Sequence, residues 1–168
     1  MKIDKSILSL SGEYYVAAEL GKRNIYAQLT LGNQKRTDLL IFSEHGTKLL
    51  KIEVKCKQGS SWPNCKGIIQ KDSFIVFVDF KDLESNQRPD FYILSKNDWS
   101  EFVQTREKEY KSKHPNRRTI IENNVLILLD EVNKKNGKPH KGCSVRPKNI
   151  SEYKEKWHKI IDVLNEDF

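Results

Sequence analysis

The 168-residue sequence predicts a mixed α/β (α+β) domain, a central mixed β-sheet flanked by helices. Three observations lead there. First, helix-period segments lie near both ends of the chain and bracket a run of strand-like segments, in the order α, five β, α, one ambiguous segment and a last α. Second, SFIVFVDF (73–80) is a continuous apolar run rich in β-branched and aromatic residues, as expected of a strand buried on both faces. Third, LLKIEVKCKQ (49–58) alternates apolar and charged residues, so a single strand presents two unlike faces.

Taken in order, SGEYYVAAELGKR (11–23) predicts the first helix. Ser11 caps it, and Val16, Ala17 and Leu20 form an apolar stripe ending at Gly21. IYAQLTL (25–31) alternates as a strand, and GNQKR (32–36) is a turn. TDLLIF, the SEHGT turn and KLLKIEVKCK then form a hairpin, and SFIVFVDF and FYIL (91–94) add two more strands. Ser95 to Asp98 resembles a capping box with Asp in the Glu/Gln position. The helix it opens carries Trp99, Phe102, Val103, Arg106 and Tyr110 on one face and stops before Pro115. VLILL (125–129) fits either a strand or a buried helix. After a Gly/Lys/Pro-rich loop, Ser151 caps a final helix with Tyr153, Trp157, Ile160, Ile161 and Leu164 along one side.

A hydrophobic content of 37% and a charged content of 32% suit a soluble globular protein, expected as a single domain over residues 1–168. No apolar run approaches the roughly 20 residues of a membrane span, and the N-terminus has no secretory signal pattern. Three cysteines (Cys56, Cys65 and Cys143) without framework spacing predict reduced thiols and a cytoplasmic protein. The formal net charge of +7 favours a polyanionic partner. Residues 134–148 hold six Lys/Arg and no acid, and the stretch from Arg106 to Arg118 is also basic.

Glu53 and Lys55 are two apart, so on a strand they share a face, whereas on a helix they diverge. Of three Glu-x-Lys triplets, Glu109–Lys111 and Glu152–Lys154 fall in helix-period segments. Only Glu53–Lys55 combines a strand context with an acid one hairpin upstream, Asp38. Paired strands lie about 4.8 Å apart, so Asp38 and Glu53 converge at one end of the hairpin. Two convergent carboxylates beside a lysine suit a hard divalent cation and phosphodiester chemistry. The plainer reading is an ion pair on a solvated sheet edge, worth little to stability.

Thr37-Asp38 … Glu53-Val54-Lys55 resembles the PD-(D/E)XK motif of many restriction endonucleases and Holliday-junction resolvases, with Thr37 in place of the proline. The resemblance implies a restriction-endonuclease-like core over about residues 10–110, followed by a basic C-terminal extension, 111–168. It implies a DNA endonuclease dependent on Mg²⁺ (or Mn²⁺) that leaves 5′-phosphate and 3′-hydroxyl ends. Asp38 and Glu53, with the Val54 carbonyl, would ligate the metal, and Lys55 would orient the attacking water. Glu13, on the first helix with Ala17 and Leu20, is similar to the helical acid that some members lend to the metal; Glu19 is the weaker candidate. Gln58 completes a Glu-x-Lys-x-x-Gln pattern and would position the scissile strand or Lys55. DNA is the implied partner, with Lys57, Lys135, Lys141 and Arg146 as phosphate contacts, and one site per chain favours a homodimer for double-strand cleavage. The alternative is a catalytically inactive nuclease-fold module that binds nucleic acid or protein.

Cys56 alternates with Lys55 and Lys57 and is expected in the core. Trp62 fits packing better than stacking against DNA. Cys65 and His140-x-x-Cys143 lack the paired short spacings of a zinc site.

Overall fold

The computed structural model describes residues 2–30, 37–132 and 137–165. Its centre is a five-stranded mixed sheet in the order β1 (Ala27–Leu29), β2 (Leu39–Phe42), β3 (Leu49–Lys57), β5 (Ser73–Asp79), β6 (Asp90–Ser95). β3 and β5 run parallel; the other pairs are antiparallel. β3 is therefore the middle strand, but Glu53 and Lys55 lie beyond its pairing with β2, so among the described residues their ion pair stands along an open stretch of that strand. Phe74 to Val78 of β5 are all at most 3% exposed, as a strand covered on both faces must be.

Helix α1 (Lys5–Gly21) lies on one face with α3 (His158–Asn165). Val16, Leu20, Trp157, Ile160 and Leu164 pack there on Ile52, Val54, Val76 and Ile93. On the other face, Trp99, Phe102 and Val103 of α2 (Lys96–Lys113) pack on Ile75, Phe77, Tyr92 and Leu94. Two smaller antiparallel units complete that layer: β4 (Trp62–Cys65) with β10 (Cys143–Val145), and β7 (Thr119–Glu122) with β8 (Val125–Val132) and β9 (Pro139–Lys141). Residues 111–168 contribute to both cores, through Leu126 and Leu128 on one side and Ile160 and Leu164 on the other. No helix among the described residues is long and apolar enough to cross a membrane.

Several boundaries differ from the sequence expectation for local reasons. α1 starts at Lys5 rather than Ser11, because Asp4 accepts the Ser6 N–H at 2.9 Å and caps the helix earlier. VLILL is a strand, paired with both β7 and β9. Ser151 opens a one-turn 3-10 segment, Ser151–Tyr153, and α3 begins only at His158. Glu152 thus sits in the 3-10 turn and not in an α-helix, and Lys154, just past it, bridges to Asp90 at 2.7 Å. Trp62 and its β4 partners form an unanticipated strand, with Trp62 buried and its ring N–H donating to the Val78 carbonyl at 3.3 Å. The capping box at Ser95–Asp98 has both of its reciprocal bonds.

Candidate active site

β2 pairs with β3 only from Leu39 opposite Ile52 to Phe42 opposite Leu49. Past Ile52, the edge of β3 that faces β2 has no strand partner among the described residues. Asp38 closes the ladder at this point. Its N–H donates to the Ile52 carbonyl at 2.8 Å, and its own carbonyl accepts the Thr30 N–H at 3.0 Å. Its Oδ2 then accepts the Val54 N–H at 2.6 Å, where a continuing strand would have offered a carbonyl. One carboxylate oxygen is thereby fixed to β3 and the other left for different use. Along a strand, one residue's N–H and C=O point the same way, so the Val54 carbonyl also faces this notch.

Glu53 and Lys55 share the opposite side of β3 from Ile52 and Val54, as their spacing predicts. Lys55 Nζ lies 2.6 Å from Glu53 Oε1, with Glu53 mostly buried and Lys55 more open to solvent. Glu53 also lines a cavity of about 140 Å³ with Thr37, Ile68 and Gln70.

Burial pushes the Asp38 carboxyl above its ordinary range; the Val54 N–H and the charge of Lys55 offset this in part, and Glu53 adds to it. Glu13 on α1 is pushed the same way, by burial first and then by the negative charge of Asp38. These mutual effects place Glu13, Asp38, Glu53 and Lys55 in one electrostatic neighbourhood. Among the described residues, however, no three His, Cys, Asp or Glu side chains gather closely enough to hold an ion by themselves. Glu13 therefore borders the Asp38–Glu53 pair without completing a three-carboxylate cluster. The hard oxygen donors present, two carboxylates and a strand carbonyl, match what Mg²⁺ takes from a protein when waters supply the rest.

Glu13 is set by the contact beside it. At Gly12 the helix comes so close to β3 that a Cβ would lie 2.0 Å from the Cys56 Sγ. Cys56 is thus a packing residue against α1, and burial raises its thiol to about 12. Glu19 is excluded from the site. It is 4% exposed and bonded to Arg88 and Arg23, both at 2.8 Å, and these partners, Arg88 first, hold it down at about 2.

Two expected site residues are elsewhere. Gln58 lies one step past Lys57 on the α1 side, where its amide accepts the Ile3 N–H at 3.1 Å and donates to the Ile3 carbonyl at 3.4 Å. It latches the segment before α1 rather than facing Lys55. Lys57 shares the Lys55 face but is only 3% exposed. Its ammonium pairs with Asp79, which the parallel register sets beside it, donates to the Gly59 carbonyl at 3.0 Å and sits over the Trp62 ring. The expected phosphate contact by Lys57 is corrected: its charge is neutralised inside the protein.

Lys141 and Arg146 are exposed; Lys135 lies outside the described residues. The basic stretch 106–118 is less free than its composition suggests. Lys111 pairs with Glu107, Arg117 with Glu131 and Arg118 with Asp130. Sequence reasoning missed the Gly12–Cys56 contact and the Asp38–Val54 bond; the fifteen-residue separation of Asp38 and Glu53 carried the only signal of the latter.

No family model matches the sequence, and no curated protein does. Among solved structures, the fold is similar to that of a bacterial homing endonuclease, I-Ssp6803I, with a TM-score of 0.52. The match covers 99% of this chain and 97% of that one at 16% identity, a likeness of fold.

Proposed function

We propose that this protein is a metal-dependent DNA endonuclease of the PD-(D/E)XK type. The observation that carries the reading is the Asp38 carboxylate bonded to the Val54 N–H beside the Glu53–Lys55 pair, on the middle strand of the sheet. The fold shared with a homing endonuclease supports it. Asp38, Glu53 and the Val54 carbonyl would hold Mg²⁺ or Mn²⁺. Bound there, the cation would lower the pKa of a coordinated water and offset the charge that develops on the phosphate. Lys55, freed from Glu53, holds a phosphate oxygen or orients the water as a point charge. Glu13 adds negative charge at the margin of the site. Cleavage of both strands by one site per chain calls for two copies acting together.

The test is cleavage of supercoiled and branched DNA with Mg²⁺ or Mn²⁺ by the wild type, Asp38→Ala and Lys55→Ala. Nicking by the wild type alone is expected. Equal cleavage by the variants would overturn the site. DNA binding with no cleavage in either metal would leave a non-catalytic module of the same fold.

A further inference from the structure

Two basic stretches far apart in sequence meet on the α2 side of the sheet. Arg106, Glu109 and Lys113 of α2 line one cavity of about 350 Å³ with Ser144, Arg146 and Lys148, which lie on or just after β10. Four cations face a single acid there. Glu109 pairs with Arg106 through Nη1. Arg106 Nε, however, is buried with no hydrogen-bond partner, the one such side-chain atom among the described residues. A buried N–H left without an acceptor costs about 1–3 kcal/mol in general, a cost that an acceptor entering the cavity would remove. Lys113, Arg146 and Lys148 form no ion pair among the described residues, in contrast to Lys111, Arg117 and Arg118 nearby.

The cavity lies on the same face as Glu53 and Lys55. Ser144 follows Cys143, which stands opposite Cys65 across the β4–β10 ribbon. The Cys65 thiol, raised to about 12 chiefly by burial, also feels Lys55 and Glu53; the Cys143 thiol, raised to about 11 by burial, feels Arg106. β4 contacts β3, the strand of Glu53 and Lys55, and β10, paired with β4, carries Ser144 of the cavity, so the ribbon links the candidate active site to the basic cavity.

We infer that this cavity is a phosphate subsite that grips the nucleic-acid backbone to one side of the scissile bond. It rests on the reading of DNA as substrate. Arg106 Nε–H and the Arg146 guanidinium are the directional donors, Lys113 and Lys148 act as point charges, and the Ser144 hydroxyl is a further donor. Such a grip sets affinity and placement and carries no sequence information. Glu109 opposes it, competing with the phosphate for Arg106.

The test follows the Arg106 Nε–H resonance by proton–nitrogen NMR while a short DNA duplex is added without divalent metal, with inorganic phosphate in a second titration. A saturating shift is expected with duplex at much lower concentration than with inorganic phosphate. The variant Lys113→Gln/Arg146→Gln/Lys148→Gln, checked for folding by circular dichroism, is expected to bind duplex more weakly. Its slope of log affinity against log salt falls by about 2 to 3, since each phosphate contact contributes about 0.9. Glu109→Gln tightens binding, which loss of a merely structural ion pair would not do. Duplex binding that leaves the Arg106 resonance unmoved, or a triple variant with the wild-type slope, overturns the subsite and leaves the nuclease reading standing. A response to inorganic phosphate alone overturns it in favour of a free-anion site. Failure to cleave in any metal, with the Arg106 shift retained, rejects the nuclease reading and keeps the backbone grip. Absence of duplex binding overturns both.

Discussion

Gly12 of α1 and Cys56 of β3 meet with no room for a side chain between helix and strand: a Cβ on Gly12 would lie 2.0 Å from the Cys56 Sγ and 3.6 Å from Val54 Cγ1. The next residue along the helix is Glu13, and the residues on either side of Cys56 are Lys55 and Lys57. The contact thus fixes the distance between the helical acid and the strand that carries the site.

Gly12→Ala forces α1 away from β3. Overpacking of this kind costs about 1–3 kcal/mol, and Glu13 is displaced with the helix. The expected outcome is a lower denaturation midpoint and slower DNA nicking. Gly12→Ala/Cys56→Ala recovers most of both losses, because removing the sulfur makes room for the methyl group. Failure of the double variant to recover stability would show that the contact is not what limits the helix.

Lys55 and Lys57 share one face of β3 and differ in their surroundings. Removing one partner of a buried ion pair costs about 3–5 kcal/mol, so Lys57→Ala, which leaves Asp79 without its buried partner, strongly destabilises the protein. The molecules that remain folded cleave normally. Lys55→Ala breaks a more exposed pair, costs under about 1 kcal/mol and abolishes nicking. Urea denaturation and a plasmid assay on the same samples separate the two.

Asp38 is raised by burial, so the folded state disfavours its ionised form. A carboxyl whose folded pKa lies above its unfolded one opposes folding once pH exceeds both values. Asp38→Asn removes that opposition while its amide oxygen still accepts the Val54 N–H. In metal-free buffer at neutral pH the variant is expected to melt at a higher temperature than the wild type. On the proposed reading, saturating Mg²⁺ is expected to invert the order, since only the wild type would gain stability from binding the ion. Differential scanning calorimetry with and without metal checks both halves.

Glu19 titrates in the opposite sense. Its carboxyl is held at about 2, against an ordinary 4.5, by Arg88 first and then Arg23 and Lys22. Its contribution is complete above pH 4.5 and is lost as pH falls toward 2. Arg88 also grips Glu155 through two bonds of 2.9 Å, so the network ties α1 to the segment before α3. Glu19→Gln lowers stability at neutral pH and flattens the acid limb of the stability curve between these values. An unchanged acid limb would remove Glu19 from the network's role.

Where a structural choice depends on neighbours along the chain, the sequence was legible. The capping box at Ser95 uses residues three apart, and the double burial of β5 shows in its unbroken apolar run. The final helix was misplaced because its expected apolar side does not exist. Tyr153 packs on the α2 side of the sheet and Trp157 on the α1 side, so no single helix face carries both. The chain passes the sheet edge between them, at the Lys154–Tyr92 bridge, before α3 can start.

The sequence alone determined the two sides of β3, because alternation is a property of one strand: Ile52 and Val54 go to the core, Glu53 and Lys55 to the other face. Tertiary structure decided which same-face lysine stays available. The parallel register of β3 with β5 brings Asp79 beside Lys57 and Phe77 beside Lys55, so one ammonium is neutralised and buried and the other reaches Glu53 and solvent. Pairing with a strand more than twenty residues away leaves no trace in local periodicity. The Arg106 cavity has the same origin, since its two halves meet only when β10 folds back onto β4.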